Sequence, residues 1–153
     1  MAIIVGTIAT WIAVTVFSLI PKKLTVSENI VLFFYNTIFE LSVFTILHVN
    51  LKLIVVEPGI GNGIADLMFR LIELPLVLVA TSNILLYSSD VKWLGVALIV
   101  LFTLLVQLVA VYVGIVSFHH WNIIYSAISM CANVLFSRII TWAITSLDRK
   151  VTA

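Results

Sequence analysis

Residues 93–116 read WLGVALIVLFTLLVQLVAVYVGIV and contain no charged side chain. About 20 such residues in a helix, rising ~1.5 Å each, cross the ~30 Å hydrocarbon core of a bilayer. Four further apolar stretches have comparable length: residues 3–20, 30–50, 68–87 and 121–144, the second with an apolar extension toward Val56. Membrane-crossing β-strands would alternate polar and apolar residues over ~10 positions, and no stretch here does so repeatedly. The expected fold is all-α: a single transmembrane domain over residues 1–153, built as a bundle of about five helices.

Composition points the same way. Of 153 residues, 63% are hydrophobic and 10% are charged, against the roughly 25% charged residues that cover a soluble domain. So apolar a chain is not intrinsically disordered. The net charge of +1 offers no electrostatic footprint for nucleic acid. One cysteine excludes an internal disulfide framework and a multi-cysteine metal site. Cys131 reads as a small buried hydrophobe. The first stretch has no basic n-region, and Pro21-Lys-Lys23 follows it where a small-residue cleavage site would sit. It is therefore expected to stay as a helix.

Lys22, Lys23, Lys92, Arg149 and Lys150 fall on one side of the expected bundle, and Lys52 on the other. The positive-inside rule then places the N-terminus outside and the C-terminus inside. Tryptophans and tyrosines near the span ends suit interfacial anchoring. Thr25-Val-Ser-Glu28 matches a capping box and should start the second helix. Gly59-Ile-Gly-Asn-Gly63 has neither phosphate-loop spacing nor a preceding strand, and reads as a turn or short re-entrant segment. No internal repeat is visible, and five spans do not divide into two inverted halves, which argues against single-chain alternating access.

Charged and polar groups inside the membrane each need a reason, because a charge at mid-bilayer costs at least ~2.5–3.5 kcal/mol on insertion scales. Glu40 lies about ten residues from each end of the second span. It shares one face with Asn29, Phe33 and Asn36 at spacings of 4, 3 and 4. Two readings stand for it: a proton or cation site, or a protonated acid hydrogen-bonded to a neighbouring helix. By depth, Asn133 is its nearest partner across the bundle, and Arg138 is too deep. The expectation is a hydrogen-bonded Glu40 without a salt bridge.

In the third span Asp66, Arg70 and Glu73, spaced 4 and 3, can form a ladder near the outer interface. Pro75 should kink the helix beside Glu73. The ladder either neutralises itself or offers a cation site; Arg138, in the fifth span, can snorkel toward the cytoplasmic headgroups, with pairing to a carboxylate as the alternative. In the fourth span Thr103, Gln107, Ala110 and Gly114 share a face. Ala110 and Gly114 form a small-xxx-small pair for close helix approach, and Gln107 is interhelical glue. In the fifth span Asn122, Ser126, Ser129, Asn133 and Ser137 make a polar stripe spaced 4, 3, 4 and 4, which must face protein or water.

His48, His119, His120 and Glu57 collect on the outer side, where zinc binding or pH sensing is conceivable. Adjacent His119 and His120 would point apart on a helix and do not suit one metal, so neither metal nor cofactor is expected. No nucleophile elbow, metalloprotease or other catalytic motif is present.

The segment Leu19-Ile-Pro-Lys-Lys-Leu24 with Glu28, and Tyr112-Val-Gly114 leading into Trp121-Asn-Ile-Ile-Tyr125-Ser126, resemble a family of small multipass membrane proteins. Members of that family, whose function is uncharacterised, occur in spore-forming Firmicutes such as bacilli and clostridia. The resemblance covers residues 19–140. It implies a bacterial plasma-membrane location and supplies no activity or catalytic residue.

The expected function is non-enzymatic. Glu40, Asn36, Asn133, Ser129, Ser126 and Gln107 would form an intramembrane polar site passing protons, ions or a small polar solute, within a homo-oligomer in the lipid bilayer. In the alternative reading these faces bind the protein to itself or to partner subunits, as in an accessory or assembly factor such as one of sporulation.

Overall fold

The computed structural model describes residues 1–87 and 92–151, with side chains through Ser146. In chain order its elements are α1 (Ala2–Leu19), α2 (Val26–Thr45), β1 (Ile54–Val56), α3 (Ile60–Met68), α4 (Leu74–Leu85), α5 (Lys92–Tyr112), β2 (Val116–Phe118) and α6 (Ile123–Val151). A π turn over Ile46–Asn50 prolongs α2, and another over Phe69–Glu73 joins α3 to α4 without a break. The segments α1, α2 with its π turn, α5 and α6 are each long and apolar enough to cross a membrane. The protein is a multipass, all-α helical bundle.

The fifth helical path, α3 through α4, is the axis of the bundle. Every residue of α4 except Leu76 and Ile84 is buried. It packs against α1, α2, α5 and α6. Those four surround it and turn their remaining faces outward as Trp, Phe, Ile, Leu and Val, the surface that lipid accepts. A charged central segment is tolerable for this reason: its neighbours are helices rather than acyl chains.

Helix ends follow local chemistry. Thr25 and Glu28 form the expected capping box at the start of α2. Gly59, at φ +145°, caps α3, so the glycine run is the first turn of a helix rather than a turn or re-entrant segment. The central path accordingly begins at Ile60 rather than at residue 68. The expected extension of the second helix toward Val56 is instead β1, paired antiparallel with β2 in the register Ile54↔Phe118 and Val56↔Val116. Lys52, at φ +51°, turns the chain out of the π turn into this strand. The pairing satisfies backbone groups at the end of the bundle, where the helices have stopped.

Gly114 also differs from expectation. It adopts φ +75° and ends α5: the Ile115 N–H donates to the Ala110 carbonyl at 2.9 Å and the Gly114 N–H to Val111 at 3.1 Å. No other group lies within 4 Å of where its Cβ would be. The close helix approach is elsewhere, at Gly6, whose Cβ position is 3.2 Å from both Cα and Cβ of Ala65. Ala2, Gly6, Ala9 and Ala13 are the buried residues of α1, and small side chains there let α3 come near.

The order of elements puts Met1, the two strands, Gly59 and Trp121 at one end of the bundle. Lys22, Lys23 and Lys92 lie at the other. The turn expected at 88–91 and the side chains of Arg149 and Lys150 lie outside the described residues.

Candidate functional site: a buried arginine and three carboxyl groups

The π turn decides which polar side chains meet. Pro75 has no N–H to offer the Leu71 carbonyl. The Leu74 N–H instead bonds to Phe69, five residues back, and the expected kink becomes a wide turn. Such turns shift side chains around the helix axis relative to a 3.6-residue repeat. Arg70 and Glu73 therefore do not face each other as a regular ladder requires.

Arg70 turns toward α2. Its Nε donates to Asp66 Oδ1 at 2.9 Å and Oδ2 at 3.0 Å, and its Nη1 to Glu40 Oε1 at 3.3 Å. The guanidinium carbon stands 3.1 Å from the centroid of the Phe44 ring, a cation–π arrangement. Asp66, Arg70 and Glu40 are all buried. Glu40 thus has a salt bridge, contrary to expectation, and its partner is Arg70. A helix starting at residue 68 would leave Arg70 at the interface; α3 starts eight residues earlier, at Ile60, and carries Arg70 into the bundle. Arg138 is exposed on the outside of α6 and takes no part in this cluster.

The second oxygen of Glu40 accepts from Asn133 Nδ2 at 2.9 Å. One helical turn away, Asn36 Nδ2 donates to Ser137 Oγ at 3.1 Å. A step of four residues along α2 is thus matched by a step of four back along antiparallel α6. Ser82 of α4 joins the second rung at 2.8 Å from Ser137. Nearer the lysine end, Asn83 accepts from the Lys23 and Leu24 backbone at 2.9 and 3.1 Å and donates to Asn29 at 2.8 Å. Ser82 and Asn83 were not singled out from sequence; the signal was the Thr81-Ser82-Asn83 run inside an apolar stretch.

A cavity of about 50 Å³ opens beside the salt bridge, lined by Glu40, Arg70, Gln107, Ser126, Ser129 and Asn133. At roughly 10–15 Å³ per water it has room for a few molecules. A smaller cavity of about 30 Å³ lies between α1, the π turn and α5, and Glu73, Asp66, Arg70 and Gln107 line it. Arg70 and Gln107 border both. Glu73 is fully buried, and among the described residues neither of its oxygens has a hydrogen-bond partner.

Of the α6 stripe, Ser126, Asn133 and Ser137 are buried, Ser129 is half-buried, and Asn122 caps the helix through Oδ1 bonds to the Ile124 and Tyr125 N–H groups. The Trp121 indole donates to Ser126 Oγ at 2.8 Å. Cys131, expected to be buried, is exposed on the outer face of α6.

The histidines do not gather. His48 Nδ1 is 2.8 Å from the Ile54 carbonyl and its ring stacks on Phe44, while His119 and His120 are exposed. Among the described residues no three His, Cys, Asp or Glu side chains stand together as metal ligands would. Compared with protein-family models, with curated proteins and with solved structures, the chain matches none.

Proposed function

We propose that this membrane protein moves protons or a small monovalent cation through the polar centre of each protomer, without covalent chemistry. The observation that carries the reading is the Glu40–Arg70–Asp66 cluster beside a polar cavity, at mid-depth in a bundle that could have been wholly apolar. Burying three charged groups is costly, and ionisable residues inside a membrane characteristically mark ion pathways and proton relays. Cavities of about 50 and 30 Å³ suit water, protons or a bare ion better than a solute of many atoms.

The polar faces of α2 and α6 are turned to each other through Asn36–Ser137 and Glu40–Asn133. This supports a pathway within the protomer over polar faces that recruit partner subunits. A homo-oligomer remains part of the proposal as an arrangement of such protomers. By its resemblance to the spore-former family we assign the protein to a bacterial plasma membrane, with the strand-bearing end outside.

The test is flux in liposomes. Purified protein should collapse an imposed pH or monovalent-cation gradient, and Glu40→Gln should remove that activity while leaving the protein folded. Tight vesicles with the folded parent would overturn the reading.

A further inference from the structure

Two carboxyl groups hold the Arg70 guanidinium, and a third, Glu73, lines a cavity that Arg70 also borders. Asp66 and Glu40 are each bonded to Arg70. Glu73 is not, although it is 0% exposed. Burial of an ionised carboxylate without a hydrogen bond or a counter-charge is prohibitive, so such a group acquires a proton or a cation. The cavity that Glu73 lines supplies no counter-charge beyond Arg70. On α1 it is bordered by Val5, Gly6 and Ala9, and on α5 by Val106, Gln107 and Ala110, none of them charged.

The same lining argues against a divalent metal cation. Hard cations require about six oxygen ligands. Here the oxygens are those of Glu73, Gln107 and Asp66, and both Asp66 oxygens already accept from Arg70 Nε. The remaining walls are aliphatic. A volume of about 30 Å³ admits roughly two or three water molecules at ~10–15 Å³ each. Ile115 and Val116, beside the two-stranded sheet, also border it, so the cavity extends toward the strand-bearing end.

We propose that Glu73 is a proton-binding site, loaded from water through the cavity beneath α1. A hydronium ion gives its proton to a carboxylate oxygen, leaving a neutral acid and a water molecule. Gly6, Ala9 and Ala65 line that cavity with little side-chain bulk. The inference rests on the pathway reading above and deepens it, naming the proton as the species and Glu73 as a station separate from the Glu40 salt bridge.

Infrared spectroscopy of the full-length protein in lipid nanodiscs reads Glu73 directly. At neutral pH, in sodium-free buffer, the parent should show the carbonyl stretch of a protonated carboxylic acid. Glu73→Gln should lack it, and Glu73→Asp, a second variant in case the first folds poorly, should show it at a shifted frequency. Transfer to heavy water should move the band, because the site exchanges with solvent. A band that survives in Glu73→Gln, one that never shifts in heavy water, or one abolished by added sodium would each overturn the proposal. Flux is measured separately: vesicles that stay tight while the Glu73 band behaves as described would remove the pathway reading and keep the binding site.

Discussion

Arg70 Nη1 lies 3.3 Å from Glu40 Oε1, a contact between the central helix and α2 made by residues thirty apart in sequence. Both side chains are buried. The same guanidinium holds Asp66 through Nε and lies over the Phe44 ring, so one planar cation serves two acids and an aromatic face. Removing it would leave two carboxylates facing each other in a low dielectric.

Arg70→Met is therefore expected to cost about 3–5 kcal/mol, the scale for breaking a buried pair on one side. Arg70→Lys keeps the charge but loses the fork and the flat stacking, and should cost a smaller amount of about 1.5–3 kcal/mol, the scale of one charge-assisted hydrogen bond. Thermal unfolding in detergent would rank the two. A lysine variant as stable as the parent would show that guanidinium geometry is not used.

Part of this cluster was legible in the sequence. The polar faces of α2 and α6 recur at helical period, and counting residues from the span ends already set Asn133 opposite Glu40. Arg70 was not legible, for a physical reason. Glycines usually end helices, so the run Gly59–Gly63 hid the first turn of α3. Starting at Ile60 puts Arg70 about ten residues, or ~15 Å, inside the bundle, the depth of Glu40. The π turn then separated Arg70 from Glu73, a change of pitch that fixed-period reading cannot anticipate. The strands escaped notice too, since Ile54–Val56 and Val116–Phe118 are three residues each and pair across sixty positions.

Glycine substitutions should separate packing from propensity. At Gly6 a Cβ would meet the Ala65 backbone at 3.2 Å, and at Gly63, inside α3, it would meet nothing within 4 Å. Gly6→Ala should destabilise by about 1–3 kcal/mol through forced separation of α1 and α3. Gly63→Ala should be neutral or stabilise by up to ~1 kcal/mol through helix propensity. The order of melting temperatures decides; equal values would sink the close-approach argument.

Sidedness has its own test. The elements place Pro58 at the end opposite Lys22 and Lys92. A reporter inserted after Pro58 should read external, and one fused after Ala153 cytoplasmic. Reversed signals at both sites would invert the orientation while leaving the fold untouched.

Labelling tests the stripe. With Cys131 replaced by Ala, single cysteines at Ser126, Ser129 and Asn133 should resist lipid-dissolved thiol reagents, whereas cysteines at Ile124 or Ile128, which are 63% and 61% exposed, should react. Ser129, on the cavity wall, should also accept a small aqueous reagent if water reaches that cavity. The parent's Cys131, on the outer face of α6, should react from the lipid side. Equal labelling of both faces would refute the burial of the stripe.

Glu40 is the residue on which pathway and glue diverge. Its two oxygens accept from Arg70 and Asn133. Glu40→Gln keeps an acceptor for Arg70 but turns the other position into a donor. Asn133 can answer by flipping its amide, because its own oxygen has no partner among the described residues and the two ends of the amide are near-isosteric. The exchange also leaves Arg70 balanced by Asp66 alone, a neutral pair. Glu40→Gln should therefore melt within ~1 kcal/mol of the parent, one ordinary hydrogen bond. Glu40→Leu strands donors from both Arg70 and Asn133, and should lose about 2–6 kcal/mol, at ~1–3 kcal/mol for each buried group left unpaired. In liposomes, Glu40→Gln should be folded and inactive, since an amide keeps the hydrogen bonds but cannot hold a proton. Flux that persists in that variant would remove Glu40 from the pathway, and a Glu40→Leu protein as stable as the parent would show that the Arg70 and Asn133 contacts hold nothing together.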